Sequence, residues 1–138
     1  MEIHESAGKS QPGWRPWLAW ACWAGLLIIW TIGLLRPEPV QAANRYFSPW
    51  AAFFLAKGLH LGIYFFLAAI PWFLHSGHKA AGLLITFLAV HAWATEYLQQ
   101  WIRFRTGSLT DAGIDWAGIL LGYLAGQWFF ARSRRAKA

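Results

Sequence analysis

Residues 96–126 read EYLQQWIRFRTGSLTDAGIDWAGILLGYLAG, and they contain three of the six acidic residues of the chain. The three are Glu96, Asp111 and Asp115, and a short basic loop separates the first from the other two. Long apolar segments lie on both sides of this loop. Ionisable groups beside apolar segments of membrane length are unfavourable unless they are paired or functional. The stretch therefore predicts a buried polar site in a helical membrane protein.

The composition also favours a membrane protein. The 138 residues are 57% hydrophobic and only 13% charged, whereas about a quarter of the residues of a soluble domain are charged. The net charge is +6, but the basic residues cluster at the ends of apolar segments, which favours contact with lipid headgroups over nucleic acid. With Cys22 as the only cysteine, no intramolecular disulfide can form.

We predict an all-α fold with four transmembrane helices in a small bundle. A helix needs about 20 apolar residues to cross the hydrocarbon core of a bilayer. Four segments meet this length: 17–35, 50–74, 80–101 and 112–131. Tryptophans at positions 14, 17, 20 and 23 recur around the start of the first segment, where we expect them to anchor it at the membrane surface.

The remaining residues are predicted to flank or connect the helices. Residues 1–13 form a flexible tail, and residues 14–131 form the transmembrane domain. Residues 132–138 form a basic cytoplasmic tail, and the proline-rich residues 36–49 form a loop. Cleavage of the first segment as a signal peptide is an alternative, although its apolar run exceeds the usual 7–15 residues of such peptides.

The distribution of lysine and arginine predicts the orientation of the bundle. With four spans, the side that holds both termini has seven of these residues, and the other side has four, or five with Lys57. The positive-inside rule then places both termini in the cytoplasm of a multi-pass protein of the inner or plasma membrane. The basic loop of residues 102–110 faces outward.

Polar residues recur at helical spacing on three of the predicted helices. Lys57, His60 and Tyr64 share one face of the second helix because residues three and four apart are neighbours. Glu96 and Gln99 share a face of the third helix, and Asp111 and Asp115 share a face of the fourth. In the four-span topology these faces meet at one level in the outer leaflet. Gly118, Gly122 and Gly126 continue the aspartate face and predict close helix packing there.

These residues resemble the motifs of VanZ-like membrane proteins. Lys57-x-x-His60-x-x-x-Tyr64 is similar to a signature on an early helix of that family, and Glu96-x-x-Gln99 to a second motif. Arg105-x-x-Ser108-x-x-Asp111 and Gly118-x-x-x-Gly122 are similar to two more, so that the resemblance covers about residues 54–126. The family commonly has asparagine where this chain has Asp115. The resemblance implies a cell-envelope protein of a family linked to resistance to the glycopeptide antibiotic teicoplanin.

Three functions remain open from the sequence. In the favoured one, Lys57 and Arg105 contact the phosphate of an anionic lipid headgroup or of a lipid-linked cell-wall precursor. The second is a small intramembrane enzyme that acts on a lipid phosphate, with His60 or Glu96 as general base. The third is a structural subunit that pairs its charges to hold helices together or to bind another membrane protein. A metal-dependent version of the enzyme would use His60, Glu96, Asp111 and Asp115, whose nitrogen and oxygen donors suit zinc or manganese. No compact metal motif is present, so we expect neither a metal nor another cofactor.

The predicted site therefore consists of nine residues from three helices and one loop: Lys57, His60, Tyr64, Glu96, Gln99, Arg105, Ser108, Asp111 and Asp115. The expected partners are membrane lipids.

Overall fold

A computed structural model describes residues 15–74, 78–103, 105 and 107–136. These residues form five helices: α1 (Arg15–Leu34), α2 (Glu38–Tyr46), α3 (Pro49–Phe73), α4 (His78–Gln99) and α5 (Leu109–Arg135). The fold is all-α, as the sequence predicts, and the described residues include no strand. The predicted flexible tail of residues 1–13 lies outside the described residues. So do the last two residues of the predicted basic tail, whereas Arg132–Arg135 belong to α5.

Three of these helices are long and apolar enough to cross a membrane: Trp17–Leu34, Pro49–Phe73 and Lys79–Gln99. The sequence predicts four, and the difference concerns α5. This helix is the longest, with 27 residues, but Asp115, Gln127 and its repeated glycines lower its hydropathy. Helix α5 is therefore long enough to cross a membrane, but it is less apolar than the other three helices.

The prediction of a loop over residues 36–49 is wrong, because this segment contains α2. The helix has nine residues, and none of them is buried. Proline lacks a backbone N–H but fits the first turn of a helix, where that N–H has no intrahelical acceptor. Pro37 is the N-cap of α2, Pro39 lies in its first turn, and Pro49 begins α3. The prolines therefore start helices here, although their number in a short segment is typical of a loop.

Helices α3 and α5 make the most extensive contact in the fold, and glycine makes it close. A Cβ atom on Gly118 would overlap the carbonyl oxygen of Leu61, and one on Gly122 would overlap that of Phe65. A Cβ atom on Gly126 would meet the ring of Trp72. The contacts advance in the same direction along both helices, so α3 and α5 run parallel. The close approach of the two backbones fixes the position of Asp111 and Asp115, which precede these glycines in α5.

A hydrogen bond from α1 completes the backbone of α3 at its internal proline. Pro71 lies inside α3 and has no N–H to donate to the carbonyl of Leu67 four residues earlier. The indole Nε1–H of Trp23 donates to that carbonyl instead, at 2.8 Å. Trp23 is buried, whereas Trp17 is exposed. The expectation that Trp23 anchors the helix at the membrane surface is therefore wrong.

Candidate functional site

Five ionisable side chains from α3, α4 and α5 meet near one end of the bundle, and we call them the ionic cluster: Lys57, His60, Glu96, Asp111 and Asp115. The parallel register of α3 and α5 brings the first turns of α5 beside the first half of α3. Helix α4 runs antiparallel to both, so that its last turns reach the same level. The cluster therefore combines residues that are distant in sequence but share one level of the bundle.

The outermost pair of the ionic cluster is Lys57 and Asp111. The Nζ atom of Lys57 forms a salt bridge with Oδ1 of Asp111. Both side chains are partly buried, with exposed fractions of 22% and 15%. Lys57 also lies over the ring of Phe53. This pair neutralises the charge of Lys57, which the sequence analysis assigns to a phosphate.

His60 lies between the two other carboxylates. Its Nδ1 atom is 2.8 Å from Oδ1 of Asp115 and 3.9 Å from Oε1 of Glu96. All three residues are buried. One oxygen of each carboxylate, Oε1 of Glu96 and Oδ2 of Asp115, has no hydrogen-bond partner among the described residues. Such atoms are unfavourable in a protein interior, so this part of the cluster has unused capacity to bind a proton donor or a cation.

The loop before α5 is attached to α4 through Glu96. Oε2 of Glu96 accepts a hydrogen bond from the backbone N–H of Ser108 at 2.9 Å. The Ser108 hydroxyl oxygen in turn accepts from the N–H of Asp111 and caps α5. A Cβ atom on Gly107 would overlap the backbone carbonyl oxygen of Glu96, so only glycine permits this approach. Ser108 therefore helps to hold Glu96 and α5 in place.

Arg105 lies against α1, away from the salt bridges of the ionic cluster. Its Nε–H and one Nη–H donate to the carbonyl of Arg36, and Nη2 also donates to the carbonyl of Gly33 at 2.5 Å. The last carbonyls of a helix have no intrahelical donors, and they favour a cation. Burial lowers the pKa of Arg105 and the carboxylate of Glu96 opposes this shift, but an arginine retains its charge in a protein.

Tyr64 belongs to a separate hydrogen-bonded chain deeper in the bundle. Its hydroxyl lies 2.9 Å from Nδ1 of His91, and Nε2 of His91 lies 2.9 Å from Oγ1 of Thr31. Thr31 donates its only hydroxyl hydrogen to the carbonyl of Leu27, so it accepts from the Nε2–H of His91. A neutral His91 with its proton on Nε2 accepts from the Tyr64 hydroxyl at Nδ1. The sequence analysis did not assign Thr31 or His91 to the site, because their partners lie on other helices.

Two adjoining clefts open beside the ionic cluster, under α2. One, of about 320 Å³, is largely apolar and lies between α1, α2 and α3, with Trp30, Leu34 and Leu55 in its walls. The other, which we call the polar cleft, is also about 320 Å³ and has a more polar lining that includes Asn44, Gln99 and Asp111. Six residues line both clefts: Val40, Ala43, Ala52, Ala56, His60 and Arg105. The two clefts therefore adjoin, with His60 and Arg105 between them, and we call the pair the amphiphilic space.

The structure thus brings eight of the nine predicted residues to the cluster, its cap or the polar cleft. Gln99 is buried and faces the polar cleft, and its Nε2 has no hydrogen-bond partner among the described residues. Arg105 reaches the cleft but is bonded to α1, and Tyr64 lies in the deeper chain. Helix α2 contributes residues to both clefts that sequence reasoning missed, because a nine-residue helix with exposed side chains has no buried face to signal it.

The chain matches no protein-family model, and comparisons with curated proteins and with solved structures give no match. The resemblance to VanZ-like proteins rests on the motifs alone.

Proposed function

We propose that the protein is a VanZ-like, multi-pass protein of the inner or plasma membrane that binds an anionic lipid by its headgroup. A lipid-linked cell-wall precursor has the same chemistry, an acyl chain joined to a phosphate. In this proposal α1, α3, α4 and α5 cross the bilayer, and both termini lie in the cytoplasm. Lys57 lies eight residues into α3, which corresponds to about 12 Å below its outer end, so the ionic cluster lies in the outer leaflet.

The packing of α5 supports its role as the fourth span. Its glycines contact α3 from Gly118 to Gly126, and α3 is apolar enough to cross a membrane. A helix that runs parallel to a membrane-spanning helix over this length lies at the same depth. Asp115, which weakens the apolar character of α5, is fully buried and faces His60. The charge that lowers the hydropathy of α5 is thus kept away from lipid.

The observation that carries the proposal is the amphiphilic space under α2. An apolar cleft that joins a polar cleft matches the two parts of a lipid, an acyl chain and a headgroup. Arg105 lines both clefts, and its charge and planar donor group favour phosphate oxygens. Helix α2 lies over this space and none of its residues is buried, as expected for a helix at a membrane surface. A purely structural clasp of charges does not require such a space, so binding is the better supported function.

The proposal is tested by filling the amphiphilic space. Ala56 lines both clefts, whereas Ala51, on the same helix and also exposed, lines neither. We expect Ala56→Trp to remove most of the anionic phospholipid that copurifies with the protein, and Ala51→Trp to leave it unchanged. The measurement is mass spectrometry of lipids extracted from equal amounts of monodisperse protein. Equal phospholipid content in the two variants and the wild type would contradict the proposal.

A further inference from the structure

One histidine and two carboxylates from three different helices converge at the buried part of the ionic cluster. His60, Glu96 and Asp115 each offer one ligand atom, and these atoms lie within 4.8 Å of one another. Their exposed fractions are 6%, 4% and 0%. We propose that these three residues bind a divalent transition-metal ion such as Zn²⁺ or Mn²⁺. The sequence offered these three residues, together with Asp111, only as ligands of a disfavoured metal-dependent enzyme, because no two of the three lie within one short motif.

The hydrogen bonding of the two carboxylates supports a cation at this place. Oε1 of Glu96 and Oδ2 of Asp115 are buried, and neither has a hydrogen-bond partner among the described residues. The neighbouring cationic side chains are engaged elsewhere, Lys57 with Asp111 and Arg105 with the end of α1. A metal ion bound by both carboxylates would give each of these buried oxygens a partner, and no further side chain would be needed.

The charge and the donor types determine the class of ion. With neutral His60, the two carboxylates carry two negative charges, and a divalent cation balances them at a depth where net charge is unfavourable. A site of one imidazole and two carboxylates suits Zn²⁺, Mn²⁺ or Fe²⁺. Mg²⁺ prefers oxygen ligands in octahedral geometry and retains waters.

Contacts around the three ligands hold them in place, as in known metal sites. The backbone N–H of Ser108 fixes Oε2 of Glu96, which leaves Oε1 directed toward His60 at 3.9 Å. The ring of Trp30 packs edge-on against His60, with 5.3 Å between the ring centroids. Gly118 follows Asp115 by three residues and presses α5 against α3. The ligands are therefore arranged before any ion binds.

A metal ion here also gives the proposed headgroup site a positive charge beside the polar cleft. His60 lines that cleft, so an ion on His60 has a route to a phosphate oxygen. This role rests on the proposed function, whereas metal binding itself does not.

The first test uses the wild-type chain in full length. The purified protein is stripped with EDTA, loaded with ZnCl₂ or MnCl₂, freed of excess ion and measured by inductively coupled plasma mass spectrometry. We expect about one ion per chain, and less uptake from MgCl₂. Titration with CoCl₂ should produce visible d–d absorption that saturates at about one equivalent. Uptake of less than about half an equivalent of each transition metal, or no cobalt spectrum, overturns the proposal, and this test requires no variant to fold.

The second test assigns the ligands. Glu96→Gln and Asp115→Asn should each reduce the affinity for Zn²⁺ at least about tenfold. Glu38→Gln makes the same chemical change on exposed α2, outside the cluster, and should leave the affinity unchanged. Wild-type affinity in both cluster variants overturns the site.

A third measurement separates the metal from the headgroup role. Vesicles of phosphatidylglycerol and of phosphatidylcholine are offered to the metal-loaded and the EDTA-treated protein. Preferential retention of phosphatidylglycerol only with metal supports both proposals. A stoichiometric metal ion without any preference among lipids contradicts the headgroup function and leaves the metal site supported.

Discussion

The Nδ1 atom of His60 in α3 lies 2.8 Å from Oδ1 of Asp115 in α5. This contact has the same register as the salt bridge between Lys57 and Asp111, one turn earlier on both helices. One residue after His60, the carbonyl of Leu61 lies against Gly118. The charge pairs and the glycine contacts therefore require the same alignment of α3 and α5, so each of them favours the register that the other needs. Substitutions at the glycine contact and at the outer salt bridge should separate their contributions.

The first substitution concerns the glycine contact. Because a Cβ atom on Gly122 would overlap the carbonyl oxygen of Phe65, Gly122→Ala should lower the free energy of unfolding by about 1–3 kcal/mol. Gly113 lies on the same helix, and a Cβ atom there would meet no described atom within 4 Å. Gly113→Ala should therefore raise stability by up to about 1 kcal/mol. Unfolding in mixed detergent and SDS, followed by circular dichroism, measures both, and equal effects would refute the close contact.

The second prediction concerns the hydrogen bond that replaces the missing N–H of Pro71. Trp23→Phe leaves the buried carbonyl of Leu67 without its donor and should lower the free energy of unfolding by about 1–2 kcal/mol. In a Pro71→Ala background the alanine N–H can donate to that carbonyl. The loss of unfolding free energy caused by Trp23→Phe should then be smaller by about 1 kcal/mol. Only the hydrogen-bond contribution differs between the two backgrounds, because the loss of ring area is the same in both. An identical cost in the two backgrounds would show that the indole N–H does not substitute for the proline.

The third prediction concerns the outer salt bridge. Lys57→Met or Asp111→Asn alone leaves a partly buried charge without its partner, whereas the double variant removes both charges. A double-mutant cycle should give a coupling energy of about 1–3 kcal/mol. Lys79→Met, at an exposed position of α4, should show no coupling to Asp111→Asn. Additive effects of Lys57 and Asp111 would mean that the pair contributes nothing to stability.

Helical spacing predicted much of the candidate site. Residues three and four apart share a face, and this placed Lys57 with His60 and Asp111 with Asp115 before any contact was known. It could not say that Arg105 reaches the carbonyls of Gly33 and Arg36, because the end of α1 offers acceptors that no sequence motif marks. It also placed Tyr64 in the site, although the hydroxyl of this residue meets His91 on another helix.

In the fold, too, the sequence predicted the features that depend on neighbouring residues and missed those that depend on contacts between helices. Apolar length predicted the helices α1, α3 and α4. Helix α2 was missed, because nine residues with two flanking or internal prolines have the composition of a loop. The hydrogen bond of Trp23 depends on the position of Pro71 on a neighbouring helix, and a single sequence contains no signal for that alignment.

The central claim is that α5 crosses the membrane and that the ionic cluster lies on the outer side, and cysteine labelling tests it most directly. In a Cys22→Ser background, Leu109→Cys reports on the start of α5 and Ser133→Cys on its end; both positions are exposed. In intact cells, a membrane-impermeant maleimide should label Leu109→Cys at once and Ser133→Cys only after permeabilisation. Labelling of both without permeabilisation, protection of both, or the reverse pattern would contradict the proposed topology and the outward site.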